Sequence, residues 1–296
     1  ISRPTICFGP MLFGTKFRVK VLTTKKGRCS LKKKLYPDVY YLRRLAHHAG
    51  GVMLKNFKLG MEWEWKSDGT PLTSTDTAIN EFVVEALCRD FPHVNVIGEE
   101  GNHRVDEAEY TVLFDPVDGT VPFRIGVPIS TFCISVVKEH VPLCAIIHDP
   151  FTKRMWSAIR GSGSFLNYKK LSVSKHRNLS RATVCMIWWM GPLGNYNLHT
   201  VCKKLMKAGA LWINPVSIAY FGGLVASGQL EATIFPGLKG WETAAMQVIV
   251  EEAGGKVTDI HGTEMRYGAD GSIEGHIISN GLIHDELVRI ANECQA

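Results

Sequence analysis

The sequence predicts a layered protein of helices and sheets, in which an α+β half is followed by an α/β half. Runs rich in β-branched and aromatic residues crowd positions 110–159, with Pro or Gly between them, which is typical of strands. From residue 199 onward, helix-like and strand-like segments alternate instead. The 296 residues suffice for two subdomains, which we expect at residues 36–170 and 171–296, packed as layers.

Periodicity locates the individual elements. A first helix is expected to start near Pro37, and a second is expected to be capped by Ser74 or Thr75. The expected strands of the first half, and one beyond it, are 110–114, 130–137, 143–147, 155–159 and 182–188. The later expected helices are 199–208, 218–227, 243–253 and one from residue 284, and the later expected strands are 211–213, 231–235 and 276–279.

The net charge of +6 is unevenly distributed. Residues 1–35 contain ten Lys or Arg and no acidic residue, whereas the rest holds 24 basic against 28 acidic residues. We expect residues 1–35 to be a basic leader outside the fold and without a role, with an organellar targeting segment as the alternative. Nucleic acid is a disfavoured partner, because no aromatic residue interleaves the run at 32–34.

Eight cysteines occur without any C-x-x-C pair, several of them in apolar runs. This pattern favours buried free thiols in a reducing compartment and disfavours a zinc site, so a cytoplasmic location is expected. No apolar run approaches the roughly 18 residues of a membrane span, and a membrane is therefore not an expected partner.

Three acidic segments indicate the chemistry. They are Ile-Gly-Glu-Glu at 97–100, Phe-Asp-Pro-Val-Asp-Gly-Thr at 114–120 and Trp-Glu-Thr-Ala-Ala at 241–245. Asp115 and Asp118 follow an apolar strand, where α/β proteins place ligands, and Gly119 lets backbone approach a ligand closely. If a helix starts at Thr120, its first N–H groups form an anion cradle.

Carboxylates beside a phosphate cradle would repel the substrate unless a cation lies between them, and Mg²⁺ prefers such hard oxygen ligands. The alternative for Asp115 and Asp118 is an Asx-turn with solvated carboxylates. The alternative for Glu242 is an acidic residue that stabilises the first turn of a helix. The combination of three segments favours the metal site.

These segments resemble those of the inositol monophosphatase family, which comprises lithium-sensitive, metal-dependent phosphatases that share a fold with fructose-1,6-bisphosphatase. The resemblance covers about residues 36–296. Its motifs, in order, are the Lys-Ser-Asp-Gly-Thr-Pro-Leu-Thr-Ser-Thr-Asp run at 66–76, Gly-Glu-Glu at 98–100, Asp-Pro-Val-Asp-Gly-Thr at 115–120, Phe-x-x-Gly-x-Pro at 123–128 and Trp-Glu-x-Ala-Ala at 241–245. It implies a layered αβαβα sandwich of the sugar-phosphatase type, a homodimer, and hydrolysis of a small phosphorylated metabolite.

The resemblance also implies residue roles. Two or three Mg²⁺ ions would be held by Glu99, Asp115, the Val117 carbonyl, Asp118 and Glu242. Thr120 and Glu99 would activate the attacking water, with Asp76 nearby. Gly119 and Thr120 would hold the phosphate. Asp118, Ile218, Phe235 and Lys239 would line the substrate pocket, although a solvated loop lysine is the favoured interpretation of Lys239.

Two departures from the family pattern bear on activity. Glu242 stands where the family has Asp, and one extra methylene shifts the carboxylate, so a weakly active metabolite-binding protein is an alternative. Phe235 stands where inositol phosphatases have a Glu that holds sugar hydroxyls. Histidinol phosphate or an adenosine 3′,5′-bisphosphate is therefore the expected substrate rather than inositol phosphate.

Other motifs are assigned structural roles. The histidines, including His47, His48 and His148, are expected at the surface or satisfied in the core. The glycines at 161 and 163 are expected in a hairpin turn. The Trp-Trp-Met run at 188–190 is expected in the core, with substrate contact as the alternative.

Overall fold

The structure, a computed structural model, describes residues 34–187 and 197–294. From Leu35 onward the chain forms one compact unit. The helices of the described residues are α1 (Val39–Asn56), α2 (Ser74–Asp90), α3 (Thr120–Arg124), α4 (Leu198–Lys207), α5 (Ile218–Ala226), α6 (Thr243–Glu251) and α7 (His284–Asn292). The strands are β1 (Trp63–Trp65), β2 (Pro71–Thr73), β3 (Asn95–Gly98), β4 (Gly101–His103), β5 (Thr111–Asp118), β6 (Thr131–Lys138), β7 (Val141–Asp149), β8 (Arg154–Ile159), β9 (Gly163–Leu166), β10 (Lys169–Lys170), β11 (Thr183–Met186), β12 (Leu211–Ile213), β13 (Ala232–Phe235), β14 (Lys256–Thr258) and β15 (His276–Ser279).

Two large sheets contain most of these strands. The first has the order β10-β9-β8-β7-β6-β5-β3-β4, and among its pairs only β3 and β5 run parallel in the described chain. The second has the order β12-β11-β13-β15-β14, with β11 parallel to both of its neighbours. The first sheet ends in sequence at Lys170 and the second begins at Thr183. The subdomain boundary near residue 170 stays a prediction.

The helices separate these sheets into layers. Successive residues of β5 point to opposite faces, so Leu113 packs into the core that contains α5 and α6, while Phe114 packs into the core that contains α1 and α2. The helices α5 and α6 also contact β13, β14 and β15 of the second sheet. A third apolar core lies between that sheet and α4 and α7. The expected αβαβα sandwich is confirmed.

Helix starts differ slightly from the predictions, for local reasons. The helix α1 begins at Val39, because the Asp38 side chain accepts a hydrogen bond from the N–H of Tyr41. The cap of α2 is Thr73, and the prediction of Ser74 or Thr75 was wrong. The Thr73 hydroxyl and the Asp76 carboxylate form a reciprocal capping box there, which satisfies the first N–H groups of the helix.

The predicted strands are present, with one informative difference. We expected the strand before the acidic motif to end at residue 114, but β5 continues to Asp118. Its register with β6 shifts between Asp115 and Asp118, and this irregularity turns the motif out of the regular ladder. The strands β1, β2, β4, β9, β10 and β14 were not predicted; each is only two to four residues long.

Two of the motifs that we assigned to structural roles occupy structural positions in the described residues. Residues 161 and 163 lie at the β8–β9 hairpin, as predicted. His148 is buried and its Nδ1 lies 2.8 Å from the Ala46 carbonyl oxygen. The Trp-Trp-Met run at 188–190 and most of the basic leader lie outside the described residues. A search of the described helices finds none long and apolar enough to cross a bilayer.

Candidate metal and phosphate site

Asp115 and Asp118 sit at the irregular end of β5, where both are buried. The Asp115 Oδ1 accepts a 2.8 Å hydrogen bond from the Val117 N–H, which closes an Asx-turn around Pro116. The Asx-turn that we considered as an alternative to a ligand site is therefore present. It fastens the carboxylate in a buried position rather than in solvent.

Glu242 approaches the same point from the first turn of α6, for which it is the N-cap residue. Carboxylate oxygens of Asp115, Asp118 and Glu242 all lie within 4.8 Å of one another. The buried Glu242 Oε2 has no hydrogen-bond partner among the residues that the structure describes. An unpartnered buried carboxylate oxygen that faces two further carboxylates is what a cation site requires, and the donor set fits a hard divalent cation.

Electrostatics support this assignment. Burial, followed by the charge of Glu99 and of the other two carboxylates, holds the pKa of Asp115 well above its ordinary value. Burial and the neighbouring carboxylates likewise raise the pKa of Glu242. These groups can all be ionised together at neutral pH only when a positive charge balances them.

Asp118 is tied to a different part of the chain. It accepts hydrogen bonds from the hydroxyls of Ser217, at 2.7 Å, and Thr131, at 2.9 Å. It also accepts the N–H groups of Ile218, at 2.9 Å, and Ala219, at 3.0 Å, at the start of α5. Burial raises the pKa of Asp118 to about 6, although these hydrogen bonds act in the opposite direction. The positive end of α5 thus stabilises one carboxylate of the cluster.

Gly119 and Thr120 follow directly, as we predicted for the phosphate cradle. Gly119 is the N-cap residue of the short helix α3 and has a φ of +84°. A Cβ atom at Gly119 would lie 2.8 Å from the Ser217 Cβ, so neither the backbone angle nor the space admits another residue. The N–H groups of this turn can donate hydrogen bonds to a bound anion.

The Thr120 hydroxyl joins the cradle to the start of α2. Its Oγ1 lies 3.2 Å from Asp76 Oδ1 and 3.1 Å from the Val117 carbonyl oxygen. Asp76 also accepts the Thr73 N–H at 2.9 Å. Burial raises the pKa of Asp76 to about 7, with a further contribution from the charge of Glu99. The structure therefore brings Asp76 beside Thr120, and its role near the attacking water stays a prediction.

Glu99 lies at the tip of the β3–β4 hairpin and is not one of the three carboxylates within 4.8 Å. Its Oε1 instead pairs with Lys66 Nζ at 2.6 Å, and Glu100 pairs with the same ammonium at 2.7 Å. Burial alone would lower the pKa of Lys66, but the two carboxylates raise it above its ordinary value. Lys66 is a site residue that our sequence analysis missed, although it opens the motif at 66–76.

A cavity of about 370 Å³ is lined by the three carboxylates, by Gly119 and Thr120, and by Lys66 and Glu99. Ile218, Phe235 and Lys239 line it, as predicted. The Lys239 Nζ is paired with Asp270 at 2.7 Å in a half-exposed ion pair, so Lys239 is a solvated lysine that already has an anionic partner. Apolar lining residues that we did not predict are Ile187, Val216, Leu238 and Trp241.

Comparison with known proteins agrees with this geometry. Residues 37–296 match the inositol monophosphatase family. The histidinol-phosphatase of Mycobacterium tuberculosis is 29% identical over 266 residues, which cover 87% of this chain and 98% of that protein. The fructose-1,6-bisphosphatase/inositol-1-monophosphatase of Thermotoga maritima is 28% identical over 222 residues, which cover 75% of this chain and 82% of that protein. A solved structure, Thermotoga maritima IMPase, superposes with a TM-score of 0.75 at 26% identity and covers 85% of this chain and 95% of its own. The chain therefore belongs to the inositol monophosphatase family and is a phosphoric monoester hydrolase.

Proposed function

We propose that the protein is a Mg²⁺-dependent enzyme that hydrolyses a small phosphate monoester. Two or three Mg²⁺ ions would be held by Glu99, Asp115, the Val117 carbonyl, Asp118 and Glu242. The unpartnered Glu242 Oε2 beside two buried carboxylates carries this proposal. Carboxylate and carbonyl oxygens are the ligands that Mg²⁺ prefers. When bound, the ions supply positive charge for the phosphoryl oxygens and the leaving alkoxide, and they lower the pKa of a water.

The chain's own residues complete the reaction. The N–H groups of Gly119 and Thr120 hold the phosphoryl group in line with the attacking water. The Thr120 hydroxyl, which can donate to Asp76 or to the Val117 carbonyl, orients that water by accepting a hydrogen bond from it, and the Glu99 carboxylate takes up the proton of the water. The new P–O bond forms as the bond to the leaving oxygen breaks, and the alkoxide takes up that proton through solvent water, so that the products are phosphate and the free alcohol.

The cavity lining supports an alcohol with one flat, weakly hydroxylated face. Ile218 and Phe235 offer no hydrogen bonds from their side chains to a polyol. The lysines that line the described cavity, Lys66 and Lys239, are both already paired with carboxylates. A second phosphate would have to compete for them, so of our two candidates we favour histidinol phosphate over an adenosine 3′,5′-bisphosphate.

The alternative is a weakly active protein that binds a phosphorylated metabolite, because Glu242 is longer than the family's Asp. The approach of its carboxylate to within 4.8 Å of Asp115 and Asp118 favours a complete metal site instead. From the resemblance we further propose lithium sensitivity and a homodimer, and from the sequence patterns a two-subdomain chain and a cytoplasmic location. Organellar targeting by residues 1–35 is the alternative to that location, and nucleic acid stays a disfavoured partner.

Hydrolysis of p-nitrophenyl phosphate with Mg²⁺, absent with a chelator, tests the proposed activity. A parallel measurement of kcat/KM on histidinol phosphate, adenosine 3′,5′-bisphosphate, inositol 1-phosphate and fructose 1,6-bisphosphate tests the substrate, and we expect histidinol phosphate to rank first. The substrate assignment fails if inositol 1-phosphate ranks first by about tenfold, or about 1.4 kcal/mol of transition-state discrimination. Glu242→Asp is the companion variant, and activity in that variant alone would favour the metabolite-binding alternative.

A further inference from the structure

Val216 has a backbone conformation that β-branched residues seldom adopt, with a φ of +57°. In this left-handed region the β carbon crowds the carbonyl oxygen, and a branched side chain makes the conformation still less favourable. The other non-glycine residues with positive φ in the described chain have no branch at Cβ. They are Glu107, Glu139, His140, Lys153, Asn167, Tyr168 and Arg181.

Two hydrogen bonds made by the residues that directly follow Val216 fix the chain at this point. The next residue, Ser217, donates its hydroxyl to Asp118 at 2.7 Å, and the following N–H, that of Ile218, donates to the same carboxylate at 2.9 Å. The Val216 carbonyl oxygen lies 3.1 Å from the point where a Cβ of Gly119 would stand. A change in the backbone at Val216 would therefore disturb two hydrogen bonds to Asp118 and the close approach of the Val216 carbonyl to Gly119.

Glycine would satisfy this backbone without strain, so the turn itself does not call for valine. What valine adds is a branched apolar side chain, and Val216 lines the same cavity as Gly119, Thr120, Ile218 and Phe235. Strained residues persist where surrounding structure fixes them, and they concentrate at ligand-binding sites. The strained residue therefore lines the cavity together with the phosphate cradle and with the apolar side chains of Ile218 and Phe235.

We propose that Val216 is a specificity-determining residue whose side chain contacts the leaving alcohol next to the phosphate. The inference rests on the proposed function and deepens it. It assigns to Val216 a preference for monoesters whose alcohol carries a flat apolar group close to the phosphate, over monoesters of polyols.

Val216→Gly and Val216→Ala form a matched pair, because both remove the side chain and only glycine relieves the backbone. In metal-free protein we expect Val216→Gly to melt above Val216→Ala by about 2–4 °C, the shift expected when a left-handed alanine is replaced in a chain of this size. Equal melting temperatures would remove the strain from which the proposal starts and would overturn it.

The second measurement uses ligands that cannot be hydrolysed. With Mg²⁺ present, we expect wild-type protein to bind phenylphosphonate more tightly than methylphosphonate, and both variants to lose about tenfold of that preference, as expected for two methyl contacts. Retention of the wild-type preference in both variants would overturn the proposal. A third outcome is a protein that hydrolyses neither phenyl phosphate nor glycerol 2-phosphate and still shows a phosphonate preference that depends on Val216. That result would support this inference while contradicting the proposed function.

Discussion

The Ser217 hydroxyl donates a 2.7 Å hydrogen bond to Asp118, and this contact joins the start of α5 to a carboxylate at the end of β5. The bond stabilises the ionised form of Asp118, which burial otherwise disfavours. A site residue and its support therefore come from segments about 100 residues apart in the chain.

Ser217→Ala should weaken Mg²⁺ binding by about tenfold, because a hydrogen bond to a charged group contributes about 1.5–3 kcal/mol. Isothermal titration calorimetry with Mg²⁺ measures the change. Ser227→Ala is the matched control, since Ser227 lies at the other end of α5 and donates to the Gly223 carbonyl instead. Equal Mg²⁺ affinity in wild type and Ser217→Ala would contradict the assigned support of Asp118.

Asp115→Asn should abolish turnover and yet stabilise the metal-free protein at pH 8, by about 1–2 kcal/mol, because it removes a carboxyl group whose ionisation is disfavoured by burial and by the neighbouring carboxylates. Urea unfolding with a chelator measures the stability, and phosphate release with Mg²⁺ measures the activity. Asp149→Asn is the control, because Asp149 is equally buried but accepts the N–H groups of Phe151 and Thr152. We expect that control to lose stability. Loss of stability in Asp115→Asn as well would argue against a charge-strained cluster.

The stability of the metal-free protein should fall as the pH rises from about 4 to about 7. The pKa of Asp76 is raised to about 7 in the fold, so the folded state holds a proton that the unfolded chain has already released. The resulting stabilisation is complete below the unfolded pKa and is lost as the pH rises through the folded pKa, by at most about 1.4 kcal/mol per pH unit for one group. Unfolding at a series of pH values should show a shallower slope in Asp76→Asn, and an unchanged slope would exclude Asp76 as a source.

Arg124 should hold the β1–β2 hairpin, whose turn carries Lys66. Its guanidinium lies 3.9 Å from the centre of the Trp63 ring and 5.6 Å from that of Trp65. Arg124→Ala should speed hydrogen exchange in residues 63–73 with little change in global stability, since an exposed cation–π contact contributes about 0.5–1 kcal/mol. Arg43→Ala, which removes a similar stack on Tyr168, should leave that segment unchanged. Exchange that is equally fast in both variants would contradict the role.

The sequence predicted the layers and the acidic motifs because both depend on local patterns. Runs of apolar, β-branched and aromatic residues located β5 and β6, and residues 115–120 form the turn of the cradle within one short stretch of sequence. The pairing of Lys66 with Glu99 was missed because it joins two hairpins that only the fold brings together. The conformation of Val216 was also missed: the Asn-Pro pair at 214–215 signals a turn, but a β-branched residue is not expected at the left-handed position of such a turn.

The order of the layers along the chain has a consequence for synthesis on the ribosome. The face of the first sheet that carries Cys133, Ile147 and Trp156 is covered by α5 and α6, which follow that sheet in sequence. Until Glu251 has emerged from the exit tunnel, this apolar face lacks at least one of the two helices that cover it. A nascent chain that ends near Lys170 would thus expose the surface that chaperones bind, and premature termination there should yield an aggregating fragment.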